Sequence, residues 1–383
     1  MAQRTSGANT AASRGPGLLS VVVLCVVAAS EVSAFTGRDP APCPDGATLV
    51  GDPPPNGRRQ WCAVREGGKL VPHGPMREWH DDGWLKLFGS FERGLRHGVW
   101  TELDASGGVL VEATYKNDIL DGAYKGRGQD GTRFEGFYKN GQRDGVWRTF
   151  GADDQKLAEG PMTPRGREGK WKVWLEDGLV AEGVFRADKR EGKWVFTVGG
   201  VKKAEGHYIN NIRQGPWVDY EGGVVAARGA YKDDARQGPW VMLFPDGSKQ
   251  AEGAYEAGQK HGPWVEWAGP GKTRKRWEGS YERGLKGGTW SHFGESGAML
   301  ASGPLLAGKM HGFWTHYDET GGVLGKGEYE HGVRVGRWVE SGSSGGYFEG
   351  EYVNGQRHGV WVAFAPDGTR LAEQRYQHGA RLE

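Results

Sequence analysis

The sequence has almost no excess charge of either sign: 49 basic residues stand against 48 acidic ones, a formal net charge of +1. Nucleic-acid binding driven by counterion release therefore has no global support, and no nucleic-acid partner is expected. Helix-forming stretches are also missing, because between residues 66 and 383 no segment runs ten residues without a glycine or a turn cluster. A membrane-spanning run is lacking too. The one apolar segment, Leu18 to Ala29, is too short to cross a bilayer, and Glu31 interrupts its continuation. Cysteine is scarce, with Cys25, Cys43 and Cys62 as the only three. No Ser/His/Asp or Cys/His grouping stands out, so an enzyme is not expected, and no catalytic, cofactor-binding or metal-ligating residue is assigned.

The first 34 residues read as an export signal. Residues 1 to 17 carry Arg4 and Arg14 without an acid, the apolar run follows, and Val32-Ser33-Ala34 supplies small residues before a cut at Phe35. This predicts a periplasmic, cell-surface or secreted protein. Lipidation at Cys25 is discounted because Leu24 occupies the place of a small residue. Residues 35 to 65 read as a Pro/Gly-rich cap in which Cys43 and Cys62 flank the stretch Gly51 to Gly57. In an exported chain these two cysteines pair most simply as a disulfide, stabilising by about 3 kcal/mol through restriction of the unfolded chain.

What the sequence does have is glycine and aromatics: 67 Gly, 17 Trp, 13 Tyr and 13 Phe. They recur with a period. Twelve times in succession an aromatic or apolar residue is followed nine positions later by Trp or a substitute, from Phe91/Trp100 through Tyr115/Tyr124, Tyr138/Trp147, Met162/Trp171 and Phe185/Trp194. The series continues through Tyr208/Trp217, Tyr231/Trp240, Tyr255/Trp264, Tyr281/Trp290, Leu305/Trp314 and Tyr329/Trp338 to Tyr352/Trp361. An incomplete unit starts at Tyr376 and a worn one at Met76. Successive Trp positions lie 23 or 24 residues apart, with one step of 26, which makes residues 66 to 383 a repeat array.

Two turn signals alternate within each unit. One is the linker between Tyr and Trp, as in Asn354-Gly355-Gln356-Arg357-His358-Gly359, and the other is an Asp-Gly turn such as Asp246-Gly247 or Asp367-Gly368. Segments of about five to seven residues rich in β-branched and aromatic side chains separate them. Each unit therefore reads as one β-hairpin, and the predicted fold is all-β: an elongated antiparallel meander of about 12 to 13 hairpins. The Tyr-to-Trp step is always nine while Trp to the next Tyr varies from 14 to 17, so insertions fall at the Asp-Gly end. At about 9.5 Å per hairpin the ribbon is on the order of 120 Å long. A second aromatic series three residues after Trp (Trp79, Phe150, Trp174, Tyr220, Trp267, Phe293, Tyr317, Phe364) requires either aromatics on both faces or an intervening bulge.

Segments such as Phe348-Glu349-Gly350-Glu351-Tyr352-Val353-Asn354-Gly355-Gln356-Arg357-His358-Gly359 and Phe134-Glu135-Gly136-Phe137-Tyr138-Lys139-Asn140-Gly141 resemble the MORN repeat (membrane occupation and recognition nexus). The usual unit continues Gly-x-Gly, whereas here it is Gly-x-Trp in eleven repeats, which is similar to the bacterial variant found also in antitoxin-labelled proteins. The resemblance implies an elongated sheet used for interaction or membrane apposition, and no chemistry.

Three columns of side chains are candidates for function. The Trp/Tyr ladder is expected to be packing, with sugar stacking as the alternative because its ~9.5 Å repeat approaches a disaccharide step. A basic column, Arg96, Arg143, Arg167, Arg190, Arg213, Arg236, Arg334 and Arg357, makes a line of charge on one long edge that could meet lipid phosphates, acidic glycans or an acidic protein, but solvated turns paired with neighbouring acids are the favoured expectation. It is balanced by a glutamate column that includes Glu135, Glu205, Glu252 and Glu349. The next column mixes His73, His97, Asp121, Glu168, Glu191, Gln237, His261, His311 and His358. Zinc is not expected there, since ligands must sit about 2 Å from the metal and neighbouring repeats are ~9.5 Å apart. Gly126 to Gly131 matches G-x-G-x-x-G but precedes a strand where a helix is needed. The expected function is an exported scaffold for a protein partner or the cell envelope, against a carbohydrate-binding protein or an antitoxin- or immunity-type inhibitor.

An elongated array has a direct solution test. Small-angle scattering should give a radius of gyration well above the ~20 Å of a globule of 350 residues, and a value near that figure would contradict the ribbon.

Overall fold

The computed structural model describes residues 42–383. The export signal and Cys25 lie outside the described residues. Among the described residues there is no α-helix, only single turns of 3-10 helix at Glu176–Gly178 and Ser343–Gly345. Among the described residues thirty-one strands form one open antiparallel meander, in which two hairpin arms are each split into two strands that pair with the same preceding strand, Gly166–Arg167 with Gly169–Trp174 and Lys309–Met310 with Gly312–Tyr317. The sheet starts earlier than the repeats do: Thr48–Val50 pairs with Arg59–Glu66, which pairs with Lys69–Trp79. The segment read as a cap is thus partly sheet. Cys43 and buried Cys62 tie its first loop to the second strand, with an S–S distance of 2.07 Å.

Each hairpin closes at one edge on a two-residue turn. Asn354 and Gly355 both take positive φ, 51° and 78°, and Val353 pairs directly with Gln356. Both central residues of a type I′ turn need that conformation, which Asn and Gly supply cheaply. The Tyr-to-Trp linker is therefore not one turn, contrary to the sequence-based expectation. Its closing glycine lies inside the following strand: Gly359 in Gln356–Phe364 and Gly262 in Gln259–Trp267.

That in-strand glycine forms a bulge. Across the hairpin of Tyr255 and Trp264 the register jumps from Ala254↔His261 to Gly253↔Trp264, so Gly262 (φ 70°) and Pro263 have no partner on that side and pair only with the next strand, at Tyr281 and Ser280. A bulge in mid-sheet would strand a backbone acceptor, and unpaired backbone groups are costly when buried. The indole resolves this, since Trp264 Nε1 donates to the Ala254 carbonyl at 3.0 Å. Ten of the eleven ladder tryptophans make the equivalent bond. The exception, Trp217, donates instead to Asp219 Oδ1 at 2.8 Å.

The ring also needs floor space. Each of these indoles lies flat on the glycine eleven residues before it, as Trp264 does on Gly253 and Trp361 on Gly350, so close that an added Cβ would overlap the ring. A glycine inside a strand marks such a close approach. The one unit with Tyr124 in place of Trp carries Ala113 in place of glycine, and the two form a register pair. A smaller ring sits over a larger floor.

The fixed nine-residue step has its own cause. The second turn residue donates its N–H to the carbonyl of the preceding repeat's basic-column residue: Gly258 to Arg236 at 3.0 Å, Gly284 to Lys260 at 2.9 Å, Gly355 to Arg334 at 3.0 Å. An insertion here would break the docking of one repeat on the next. The turns at the opposite edge close mainly on themselves: Asp246 Oδ1 accepts from the Ser248 amide at 3.0 Å, and Asp104 Oδ1 accepts from the Ser106 and Gly108 amides, both at 2.8 Å. Length variation is tolerated at that edge.

The second aromatic series lies on the face opposite the ladder. Tyr220 donates to Glu205 of the glutamate column at 2.9 Å, and Phe364 stacks on its cross-strand partner Tyr347 with centroids 4.9 Å apart. A register shift at that step is present as well, as between Met242 and Leu243. Both branches of the alternative hold.

Matched size of ring and floor predicts coupling. Gly253→Ala should destabilise by about 1 to 3 kcal/mol through overpacking, and Gly253→Ala/Trp264→Tyr should lose less than the sum of the single changes. Denaturant unfolding of the three variants measures it; strictly additive losses would show that floor and ring are independent.

Candidate functional site

Two surfaces compete as the working surface, and packing separates them. On the ladder face, Trp194, Trp264, Trp290 and Trp314 have no solvent exposure, and Tyr208, Tyr255, Tyr281, Tyr329 and Tyr352 are buried. From Trp171 through Phe185, Trp194, Tyr208, Trp217, Tyr231, Trp240, Tyr255, Trp264 and Tyr281 to Trp290 the rings meet edge to face. Centroids are 5.0–6.3 Å apart and planes are inclined by 71–89°. Leu305 interrupts the chain, which resumes from Trp314 through Tyr329, Trp338, Tyr352 and Trp361 to Tyr376. At the other end Tyr138 meets Trp147 at 5.3 Å. A sugar platform needs an open ring face, and these tryptophans have glycine on one side and neighbouring side chains on the other.

Six of the eight arginines of the basic column lie beside an acid, so the column is not an edge of free charge. Its guanidinium groups lie back over the ladder: Arg143 over Trp147 at 4.6 Å, Arg190 over Trp194 at 4.9 Å, Arg236 over Trp240 at 4.2 Å, Arg334 over Trp338 at 4.5 Å and Arg357 over Trp361 at 4.3 Å. Arg96, Arg167 and Arg213 cover Tyr115, Phe185 and Tyr231 at 3.9–4.2 Å, and each pairs with an acid at the second turn position of the next hairpin. Those acids are Asp118, Asp188 and Asp234, at 2.8–2.9 Å. Arg236 meets Asp219 at 3.3 Å, and Arg334 and Arg357 share Glu340. Cation–ring contact and local neutralisation bind the repeats together.

The mixed column has a single physical role in five repeats. Each side chain accepts the backbone N–H of the first turn residue of the next hairpin: Asp121 from Asn140, Glu168 from Ala187 and Gln237 from Ala257, all at 3.0 Å, Glu191 from Asn210 at 3.1 Å, and His73 Nδ1 from Arg93 at 3.3 Å. Any acceptor of suitable length serves, which explains the variety. No cluster of three or more His, Cys, Asp or Glu side chains that could hold a metal occurs among the described residues.

The face opposite the ladder is more open. In three successive units the sequence Gly-Pro-Trp-Val recurs, at 215–218, 238–241 and 262–265. The prolines follow the bulge glycine, where a strand proline is tolerated. Alternation places Pro216, Pro239 and Pro263 away from the ladder, with Val218, Val241 and Val265 beside them in register with the glutamate column, as in Val241↔Glu252. The prolines are exposed and the valines half-exposed. Flanking this stripe are the pairs Lys193–Glu205 and Lys202–Glu205, both at 3.0 Å, Lys249–Glu252 at 2.7 Å and Lys275–Glu278 at 2.8 Å. The repeated Pro and Val are the sequence signal of this stripe, overshadowed by the stronger Tyr/Trp period.

Glu205 is the most strongly held carboxylate on this face. Hydrogen bonds from Lys202, Lys193 and Tyr220 lower its pKa to about 2. A depressed carboxylate pKa contributes stability above the unfolded-state value, and the contribution is lost as pH falls through the folded value. The melting difference between wild type and Glu205→Gln should therefore be full at pH 7, shrink below about pH 4.5 and vanish near pH 2. A difference independent of pH would exclude this network as its source.

A family model described as MORN repeat variant matches residues 96–117. The span takes in Arg96, the bulge glycine Gly98, Trp100, the Asp104 turn and the Tyr115 strand, one full step of the period. No curated protein matches the chain. Residues 96–117 are thus similar to a MORN repeat variant, and the neighbouring units repeat the pattern of that segment.

Proposed function

We propose that this chain is an exported, non-enzymatic repeat scaffold that binds a protein partner along the face opposite its aromatic ladder. The observation that carries the reading is the Pro216/Val218, Pro239/Val241, Pro263/Val265 stripe, an apolar line across three repeats bordered by paired Lys and Glu. Apolar cores with polar rims characterise specific protein interfaces, and a stack of rigid hairpins presents such a line over about 20 to 30 Å. The ladder face and the basic column are occupied by contacts within and between repeats. Export is supported by the signal-like residues 1 to 34 and by the disulfide spacing of Cys43 and Cys62. Apposition to a membrane has less support, because the arginines expected to meet lipid phosphates stack on the ladder.

Affinity capture from the native envelope fraction tests this, using wild type and the variant Val218→Lys/Val241→Lys/Val265→Lys. One stoichiometric protein recovered with wild type and lost with a folded variant is the expected result. Equal recovery by both would move the interface elsewhere. Glycan-array binding that survives the variant would favour the carbohydrate reading instead.

A further inference from the structure

The mixed column meets the next hairpin's turn rather than itself, and in two places both partners are histidine. His311 faces His331 with ring centroids 5.3 Å apart, and His358 faces His378 at 5.7 Å. Two imidazoles bound to one tetrahedral ion, each nitrogen about 2.0–2.1 Å from the metal, would have centroids roughly 5.2 Å apart. Equivalent column residues lie one repeat, ~9.5 Å, apart and cannot share a zinc ion. The relevant neighbour is the turn residue, and it lies within ligand reach.

Nδ1 of His311 and of His358 is buried without a hydrogen-bond partner, so in neither ring does a bond to that nitrogen fix the tautomer. His331 and His378 sit exposed at the first turn position. Column histidines elsewhere have other neighbours: His73 accepts the Arg93 amide, and His97 and His261 face Glu92 and Glu256. We propose that His311 with His331, and His358 with His378, form two separate sites for a late first-row divalent cation such as Zn2+ or Ni2+, with water completing each shell. Neutral imidazole suits these metals and not Mg2+. The two pairs are two repeats apart, roughly 19 Å, so each ion is bound independently.

Calorimetric titration of the full chain with Zn2+ tests the proposal, comparing wild type with His331→Asn, His378→Asn and the double variant. Asparagine preserves the turn, since Asn-Gly already serves at Asn354-Gly355. Wild type should bind two more ions per chain than the double variant, and each single variant should lose one. Added Zn2+ should raise the melting temperature of wild type more than that of the double variant. Equal uptake by wild type and the folded double variant, or no saturable uptake by wild type, would overturn it.

Discussion

Eleven of the twelve full repeats rest on an indole laid directly on backbone. A single-layer sheet has no second layer to cover its apolar side chains, and a buried aromatic removes about 200 Å² from water, worth roughly 5 kcal/mol. Glycine at the strand centre lets the ring approach to van der Waals contact with the chain beneath. The bulge at the facing glycine turns the ring into place, and the indole N–H takes up the carbonyl that the bulge releases. Packing, backbone satisfaction and register are thus met by one side chain per unit. The Tyr124 unit supports the same logic in reverse, with Ala113 as its floor.

The other conserved-length features follow from that seat. Once Trp is fixed, the Tyr of the same hairpin and the Tyr of the next meet it edge to face, and the basic residue four positions before Trp lies over the ring. The turn then docks on the preceding unit through its amides. Side chains that look functional in a list, the arginines and most of the mixed column, are used in holding one repeat to the next. This leaves the Gly-Pro-Trp-Val face as the least committed surface.

The hairpins, their turns at Asn354-Gly355 and Asp367-Gly368, and the Tyr/Trp ladder were legible in the sequence because period and turn chemistry are local. The glycine floor was not. Gly253 and Trp264 are eleven residues apart, and only the bulged register brings the ring over that backbone. The stacking of Arg236 and Arg357 on the ladder was hidden for a related reason. Their column shows charge, but its direction depends on the cross-strand pairing Tyr352↔Arg357 and its equivalents, which turns them onto the ladder face. The pairing of His311 with His331 was hidden as well, since they belong to different repeats and different columns.

Equilibrium unfolding of Trp264→Ala most directly tests whether the seated indole is the core of the array. The account predicts a loss of about 3 to 5 kcal/mol, as for a large aromatic removed from a packed interior. A variant that unfolds at the same denaturant concentration as wild type would contradict it, and would mean that the tryptophans are retained for something other than holding the sheet together.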